Sequence, residues 1–450
     1  MSCPLLRRWI HTALFWATLA TTAFAEDVQR TLIADFENDD WSKSWTPVRM
    51  ITAARVTGGT GKAAPDTAGD HVLKIKTAGG AGLATNKGVR PDALGEYDAV
   101  EAWIYRPAPK PGETPQPNVI EFQFVEADGA KFWRKIELSH NGWKKIRAEL
   151  PFFRSSENRL PRWSRIERVV LWFRDGVELL IDDLAVVKTN SGGATLQPDD
   201  LARLAFPGST SDAVQTVTHD GVVVVTDRPR TDAEAVLEKL VAVQKRVATD
   251  LPFLDAPAFP VPLLIFNKHE NYGAFIPRLA AEFASEAGVP TSDGFTALGI
   301  ASSSWSPELK TERPVYVHEF IHALLSSRLD LPNHGEWLQE GLASHYQLQF
   351  IKQADFNKLV AGQLSDGRYK PLETLTNGEA IALSDYWQAA TLCEMLLNDE
   401  KYRAKFPALV SAFRRDGSTD LRPLVEKELG VDFKTLLNDW RNFCEKTYRP

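Results

Sequence analysis

Cysteine is scarce in this chain: the 450 residues contain three, Cys3, Cys393 and Cys444. A disulfide scaffold needs several pairs, so that class of protein is excluded. A structural zinc knot is not suggested either, because the cysteines lie far from the histidine motif described below. Cys393 and Cys444 fall in a region predicted to be helical, where they can form one disulfide or stay as two buried thiols.

An excess of positive charge and long apolar runs are also missing. The formal net charge is −7, so nucleic acid is not an expected partner. Beyond residue 25 no stretch is long and apolar enough to span a bilayer, and there is no internal repeat. A composition of 44% hydrophobic and 25% charged residues is ordinary for a folded chain, whose length predicts two or three domains.

Residues 1–25 have the pattern of a cleaved secretory signal. Arg7 and Arg8 precede a mostly apolar run from Trp9 to Ala20, and Ala23-Phe24-Ala25 is a small-x-small cleavage pattern. A membrane anchor is the alternative, but the run is shorter than the ~20 residues that cross a bilayer. Cleavage lowers the net charge from −7 to −9, since both arginines are removed. A secreted or periplasmic protein is therefore expected.

Residues 28–190 are predicted to form a β-sandwich. Short alternating segments separated by Gly, Pro and Asn turns are typical of a sandwich or jelly roll. Seven of the 13 tryptophans fall in this region, and in such folds they are more often core residues than sugar platforms. The predicted strands are Thr31–Phe36, Val72–Lys76, Val100–Tyr105, Val119–Phe124, Phe132–Leu138, Lys144–Leu150, Arg168–Phe173 and Leu179–Val187.

A polar segment, residues 191–200, is predicted to be a linker to a second domain, residues 201–450. That domain opens with apolar runs at Gly221–Thr226 and Val261–Phe266 on either side of an amphipathic helix, Asp232–Thr249. The strand, helix, strand order predicts an α/β opening.

Another strand is predicted at Phe295–Ser302, and its part around Gly299-Ile300-Ala301 is expected to pair with an extended substrate. From Leu342 to Phe443 the chain looks largely helical. The predicted fold class is multidomain: an all-β sandwich followed by an α+β domain with a helical C-terminal part.

The second domain contains the sequence His318-Glu319-Phe320-Ile321-His322 inside a stretch with helical apolar spacing. Residues four apart share one face of a helix, so both imidazoles can point at one ion while Glu319 lies beside it. This is the arrangement that a zinc ion requires.

A catalytic zinc usually has three protein ligands, so one more is needed. The extended pattern with a third histidine is excluded, because Leu325 and Arg328 stand where it needs Gly and His. Downstream, the W-x-x-E-G-x-A segment that begins at Trp337 offers Glu340, which a turn after the first helix can bring back to the histidines.

Three other ionisable residues lie near Glu340 in the sequence. Glu336 lies one helical turn earlier and His334 falls in the predicted turn, so both are rival third ligands. His345 lies five residues beyond Glu340 and is predicted to point away, as outer support or on the surface.

With H-E-F-I-H followed by W-L-Q-E-G-L-A, the chain resembles the gluzincin clan of zinc peptidases. The resemblance implies that His318, His322 and Glu340 bind zinc and that Glu319 is the base. The G-x-M-E-N hallmark of clan aminopeptidases is absent, so the resemblance does not extend to that activity. Ser344 stands where thermolysin-like enzymes have a supporting Asp.

Clan relatives often use a tyrosine from the C-terminal helices to stabilise the oxyanion. The stretch Ser384-Asp385-Tyr386-Trp387-Gln388 resembles the segment that carries it, which makes Tyr386 the candidate here. The alternative is a core tyrosine on an apolar helix.

The N-terminal region in turn resembles galactose-binding-like jelly rolls, the fold of many carbohydrate-binding modules. The resemblance is carried by Leu32–Glu37 with Trp41, by Gly142–Ile146 and by Leu180–Leu184. It implies a glycan partner and a structural calcium ion held by Glu37 and Asp183, since hard oxygen ligands suit that ion.

Two functions follow from these patterns. The first is an exported zinc endopeptidase that acts on a protein or peptide and is positioned by its β-sandwich. The second is a non-catalytic protein that binds a glycan or a surface and keeps the peptidase fold as a scaffold. The intact motif favours the first, because a scaffold has no physical need for Glu319 between two histidines.

Overall fold

The structure is a computed structural model. The expected signal segment, residues 1–25, lies outside the residues that it describes. These are residues 29–37, 40–57, 70–109, 111, 118–154, 160–189, 192–210, 212–253, 260–282, 292–297, 299–305 and 315–449.

The N-terminal region is an all-β sandwich of two antiparallel sheets, which confirms the predicted architecture. One sheet has the order β3-β4-β11-β6-β9, with β1 also paired to β11, and the other has the order β2-β5-β10-β7-β8. A four-residue helix, α1 (Trp41–Ser44), precedes β2. The strands are β1 (Gln29–Ala34), β2 (Trp45–Val48), β3 (Ile51–Thr57), β4 (His71–Thr77), β5 (Ala81–Thr85), β6 (Ala99–Arg106), β7 (Asn118–Glu126), β8 (Lys131–Leu138), β9 (Gly142–Glu149), β10 (Ile166–Phe173) and β11 (Val177–Lys188).

Strand β6 shows why these segments form a sandwich. Val100, Ala102 and Ile104 point into the core, while Trp103 and Tyr105 alternate with them on the outer face. The tryptophans divide in the same way, since two are buried (Trp45 and Trp163) and five are half-buried (Trp41, Trp103, Trp133, Trp143 and Trp172).

The second domain is built on a five-stranded mixed sheet with the order β12-β13-β14-β16-β15. β13, β14 and β16 run parallel, and the outer strands β12 and β15 are antiparallel to their neighbours. The predicted strand, helix, strand opening is confirmed by β13, α3 and β14. The strands are β12 (Gln215–His219), β13 (Val222–Thr226), β14 (Val261–Phe266), β15 (Gly294–Ala297) and β16 (Ile300–Ser304).

Two expectations about this sheet were wrong. The single strand predicted at Phe295–Ser302 is a hairpin, because Gly299 has a φ of 75° and turns the chain between β15 and β16. The segment Gly299-Ile300-Ala301 is not free for substrate, since β16 is paired with β14 on one side and β15 on the other. Among the described strands, β15 is the edge strand on this side of the sheet.

Helices cover the sheet and make up most of the C-terminal part, as predicted. Cys393 and Cys444 are buried in two of them as free thiols, so the disulfide alternative is not realised. The helices are α2 (Pro198–Ala205), α3 (Arg230–Asp250), α4 (His269–Glu282), α5 (Tyr316–Leu329), α6 (Trp337–Phe350), α7 (Phe356–Ser365), α8 (Leu372–Leu375), α9 (Tyr386–Asn398), α10 (Phe406–Asp416) and α11 (Phe433–Thr447). None of the described helices is both long and apolar enough to cross a membrane.

The described part of the expected linker is packed. Ala194 lies in the sandwich core, Leu196 packs in the core of the second domain, and α2 begins inside the segment at Pro198. The two domains also meet beside α5, the helix that carries His318 and His322. There, Arg162 of the sandwich forms a 3.2 Å ion pair with Asp330 at the C-terminal end of α5.

Close packing of α6 on α9 depends on Gly341. A β-carbon at this position would lie 2.7 Å from both the carbonyl oxygen of Ala389 and the sulfur of Cys393. Contacts this short force the helices apart, so only glycine allows the approach that places the first turn of α6.

We expect Gly341→Ala to lower the free energy of unfolding by about 1–3 kcal/mol, the cost of overpacking a close helix contact. Gly362→Ala in α7 is the matched control, because its β-carbon would meet nothing within 4 Å. That variant should be neutral or more stable by up to about 1 kcal/mol. Equal urea midpoints for the two variants would contradict the packing argument.

Candidate metal centre

Helices α5 and α6 bring the motif residues together. His318 and His322 are one turn apart on α5, with ring centroids 4.7 Å from each other. The chain then leaves α5 through Asp330, passes Gly335 at a φ of 76° and enters α6, whose first turn carries Glu340.

Three donor atoms converge at this point. Glu340 Oε2 lies 3.1 Å from His318 Nε2 and 3.5 Å from His322 Nε2. The ligand atoms of these three side chains lie within 4.8 Å of one another. Among the described residues, no other group of three or more His, Cys, Asp or Glu side chains is arranged so that it could hold a metal ion. The predicted ligand set is therefore assembled.

Electrostatics favour a cation between these groups. Burial alone would raise the pKa of Glu340, but the neighbouring imidazoles hold it well below its usual range. Burial alone would lower the pKa of His322, but the carboxylates of Glu340 and Glu319 and the hydrogen bond to Glu340 raise it to about 9. The buried carboxylate thus calls for positive charge, which a proton or a divalent ion can supply.

Glu319 lies beside the donor atoms and is held from the edge strand. The hydroxyl of Thr296 is 2.8 Å from both the carboxylate Oε2 and the backbone oxygen of Glu319. Burial raises the pKa of Glu319, while His318, His322 and the hydrogen bond from Thr296 oppose that rise. The sequence did not point to Thr296, because the contact joins β15 to a helix more than 20 residues away.

Gly294, also on β15, makes room for the side chain of Glu319. A β-carbon there would lie 2.5 Å from Val315 Cγ2 and 2.7 Å from the Glu319 side chain. Any other residue at this position would displace the carboxylate from the donor atoms. This requirement was invisible in the sequence, because it arises only when β15 packs against the start of α5.

Gln339 fixes the orientation of the second histidine. Its side-chain nitrogen donates to the carbonyl of Pro332 at 2.9 Å, so its oxygen faces His322 Nδ1 at 3.0 Å. The imidazole must therefore donate through Nδ1, which leaves Nε2 free to bind a metal. A buried amide therefore supports this imidazole.

Tyr386, the candidate oxyanion donor, lies against His318 and Glu340. Its ring stacks on that of His318 with centroids 6.0 Å apart and planes 7° from parallel. Burial, the charge of Glu340 and a hydrogen bond to it raise the pKa of Tyr386 above its usual range. The phenol stays protonated and can donate a hydrogen bond.

The rival ligands have other roles. Glu336 is buried at the start of α6 and accepts a hydrogen bond from the backbone nitrogen of His334 at 2.9 Å. Neither Glu336 nor His334 belongs to the group formed by His318, His322 and Glu340. His345, predicted to be outer support or surface, is buried near Glu394 and Gln349, away from the donor atoms, and burial lowers its pKa to about 4.

The expected calcium ligands have other partners in the sandwich. Glu37 accepts from the backbone nitrogens of Asp70 and His71 at 3.3 and 3.4 Å. Asp183 forms a 2.6 Å ion pair with Arg30. The calcium role of Glu37 and Asp183 stays a prediction.

A cleft of about 830 Å³ of water-accessible space opens over the centre. Its lining includes the three donor side chains, Glu319, Tyr386 and the β15 residues Gly294, Phe295 and Thr296. Glu319, the three donor side chains and an edge strand therefore line one shared space.

Comparisons with known proteins give matches to solved structures alone. The chain matches no family model, and no curated protein matches it. Among solved structures, the family 11 carbohydrate-binding module of the cellulase Lic26A-Cel5E from Clostridium thermocellum is 10% identical, with 35% of this chain and 94% of that chain covered and a TM-score of 0.25. The CBM22-1 xylan-binding domain of Xyn10C from Paenibacillus barcinonensis is 15% identical, with 35% and 96% covered and a TM-score of 0.24. Likenesses this distant do not extend to binding or activity.

We expect Gln339→Leu to weaken zinc binding by about 10–100-fold, because His322 loses the acceptor that holds its ring and tautomer. Gln339→Glu keeps an acceptor for His322 but loses the donor to the carbonyl of Pro332, so its zinc affinity should fall between those of the parent protein and Gln339→Leu. Gln347→Leu, on the same helix and similarly buried, is the matched control. Competition against a fluorescent zinc chelator measures all three, and equal affinities for both leucine variants would exclude the orienting role.

Proposed function

We propose that this protein is an exported zinc-dependent peptidase of the gluzincin type. The observation that carries the proposal is the convergence of His318, His322 and Glu340 with a second buried carboxylate, Glu319, beside them. Export rests on the signal pattern of residues 1–25.

The donor set suits zinc. Two imidazole nitrogens and one carboxylate oxygen are a common catalytic zinc ligand set, and they leave a coordination position open. The carboxylate of Glu340 is buried between two imidazoles, a setting that a divalent cation would stabilise. When bound, zinc supplies Lewis acidity, which polarises the carbonyl of a peptide bond and lowers the pKa of water to about 7.

The chain's own residues then move the protons. Glu319 takes a proton from the attacking water while the oxygen of that water bonds to the carbonyl carbon. Glu319 then returns the proton to the departing nitrogen as the C–N bond breaks. Thr296 holds one carboxylate oxygen of Glu319, whose side chain lines the cleft. Tyr386 is the proposed donor to the oxyanion that forms on the former carbonyl oxygen.

The edge strand gives the substrate a place to bind. β15 pairs with β16 on one side, and its residues line the cleft on the other. An extended peptide can add to such an edge through main-chain hydrogen bonds, which accept any sequence. This favours an endopeptidase acting on unfolded or extended segments.

The sandwich is the proposed targeting module. Its contacts with the second domain, such as the pair between Arg162 and Asp330, keep it beside the centre. A glycan is the partner suggested by the sequence resemblance. The alternative function is a non-catalytic protein that binds a glycan or a surface through this domain.

We expect Glu319→Gln to lower hydrolysis of a denatured protein by at least about 100-fold while zinc stays bound, because only the proton acceptor is removed. Glu336→Gln is the matched control. Burial raises the pKa of Glu336 to about 7, and glutamine keeps an acceptor for the nitrogen of His334. Metal analysis and peptide release are measured on the same samples.

A parent protein that does not bind zinc would contradict the proposal, as would a Glu319→Gln variant with undiminished activity. Tight binding to a glycan by the full chain, without any proteolysis, would favour the alternative instead.

A further inference from the structure

One short segment of the sandwich, residues 160–162, lies against the second domain. Leu160 packs on the turn between β15 and β16, since a β-carbon added to Gly299 would be 3.4 Å from Leu160 Cδ1. The space left between the two domains at this contact is about 20 Å³, room for about one water molecule. The domains are therefore closely packed here.

Arg162, two residues further on, is anchored in the sandwich. Its backbone nitrogen donates to Glu126 Oε1 at 2.7 Å, and its Nε and Nη2 donate to Glu126 Oε2 at 3.1 and 2.7 Å. Nη2 also donates to Asp128 at 3.1 Å. The Glu126 side chain is fully buried at the end of β7. A planar guanidinium held by several such bonds has little freedom to turn.

The remaining nitrogen of this guanidinium reaches the second domain. Arg162 Nη1 pairs with Asp330 Oδ2 at 3.2 Å, and the Asp330 side chain is only 8% exposed. A buried carboxylate is stabilised by a positive partner, which Arg162 supplies from the sandwich. The end of α5 is therefore tied to a fixed point in the other domain.

From Asp330 a short chain of contacts leads to a proposed metal ligand. The carbonyl of Pro332 accepts a hydrogen bond from the side chain of Gln339 at 2.9 Å, and the Gln339 oxygen lies 3.0 Å from His322 Nδ1. The loop that Arg162 holds at its start thus holds the amide that orients His322. A displacement of this loop would tilt the imidazole.

The contact at Leu160 leads to the proposed base in the same way. Gly299 joins β16 to β15, and β15 carries Thr296, whose hydroxyl is 2.8 Å from the Glu319 carboxylate. Two neighbouring side chains of the sandwich therefore support both the strand beside Glu319 and the loop that follows α5.

Resting on the proposed zinc-dependent function, we propose that Arg162 is a positioning residue for the metal centre. Its guanidinium, anchored by Glu126, fixes Asp330 and the loop that follows it, and thereby the orientation of His322. The sandwich is then a structural part of the zinc site, in addition to a targeting module.

The first test measures the zinc affinity of the folded full chain by competition against a fluorescent chelator. Asp330→Gly removes the ion pair without backbone strain, because glycine favours the left-handed conformation that Asp330 adopts. We expect zinc affinity to fall by about tenfold, the low end of the range for residues that support a ligand from outside. A role in stability alone would lower the urea midpoint and leave the zinc affinity unchanged.

Asp220→Gly is the matched control for this variant. Asp220 also has a left-handed backbone, with a φ of 49°, and pairs with Lys245 at 3.1 Å. It lies in the turn between β12 and β13, at the other edge of the sheet from β15. The zinc affinity of Asp220→Gly should equal that of the parent protein.

Arg162→Lys tests the same link from the sandwich. Lysine keeps a charge for Glu126 but loses the fork that reaches Asp330 at the same time, so zinc affinity should fall by about three- to tenfold. In the Asp330→Gly background the same substitution should have no further effect. Additive losses in the double variant, or unchanged affinity in both single variants, overturn the inference and leave the zinc proposal standing.

Hydrogen exchange without added zinc separates the inference from the proposed function. Amides between residues 331 and 339 should exchange at least about threefold faster in Arg162→Lys than in the parent, because the loop loses its anchor in the other domain. Arg165→Lys is the control, since Arg165 pairs with Asp128 at 3.8 Å within the sandwich. Faster exchange in Arg162→Lys alone supports the link even in a protein that binds no zinc. Equal exchange in the two variants overturns it.

Discussion

The architecture around the centre depends on one electrostatic constraint: the carboxylate of Glu340 is buried between two imidazoles. A buried carboxylate is costly without positive charge nearby, which a protonated His322 or a bound cation can supply. The surrounding structure holds the three groups in place despite this cost. Gly341 lets α6 approach α9, and Gln339 joins His322 to the loop before α6. Such an expensive arrangement is understandable if a divalent cation completes it.

Glu319, the proposed base, is held by residues of β15. Gly294 leaves the volume in which the Glu319 side chain sits, and Thr296 binds one of its oxygens. Both residues are on the edge strand that faces the cleft, so the strand proposed to bind substrate also positions the proton acceptor. A shift of β15 would therefore affect binding and proton transfer together.

The sequence predicted those parts of the centre that depend on spacing within one helix. His318 and His322 share a face because they are four residues apart, and Glu340 was identified from its own local motif. Strands such as β6 and β11 were equally predictable, since alternation in sequence becomes alternation between core and surface. In each case the physical information lies within a few neighbouring residues.

The remaining features depend on contacts between distant residues. The turn at Gly299 hid an edge strand within what looked like one continuous strand, and the roles of Gly294, Thr296 and Gln339 arise only when other elements pack against them. His345 looked like outer support or a surface residue because a helix position alone does not show that α9 covers it. Tertiary packing decides these cases, and periodicity does not reveal it.

The central claim is tested most directly by a zinc-edge anomalous difference map from crystals of the full chain grown with zinc. The account predicts a peak about 2.0–2.2 Å from His318 Nε2, His322 Nε2 and a carboxylate oxygen of Glu340. A map with no peak there, or with Glu340 turned away from the ion and Glu336 or His334 in its place, would contradict it.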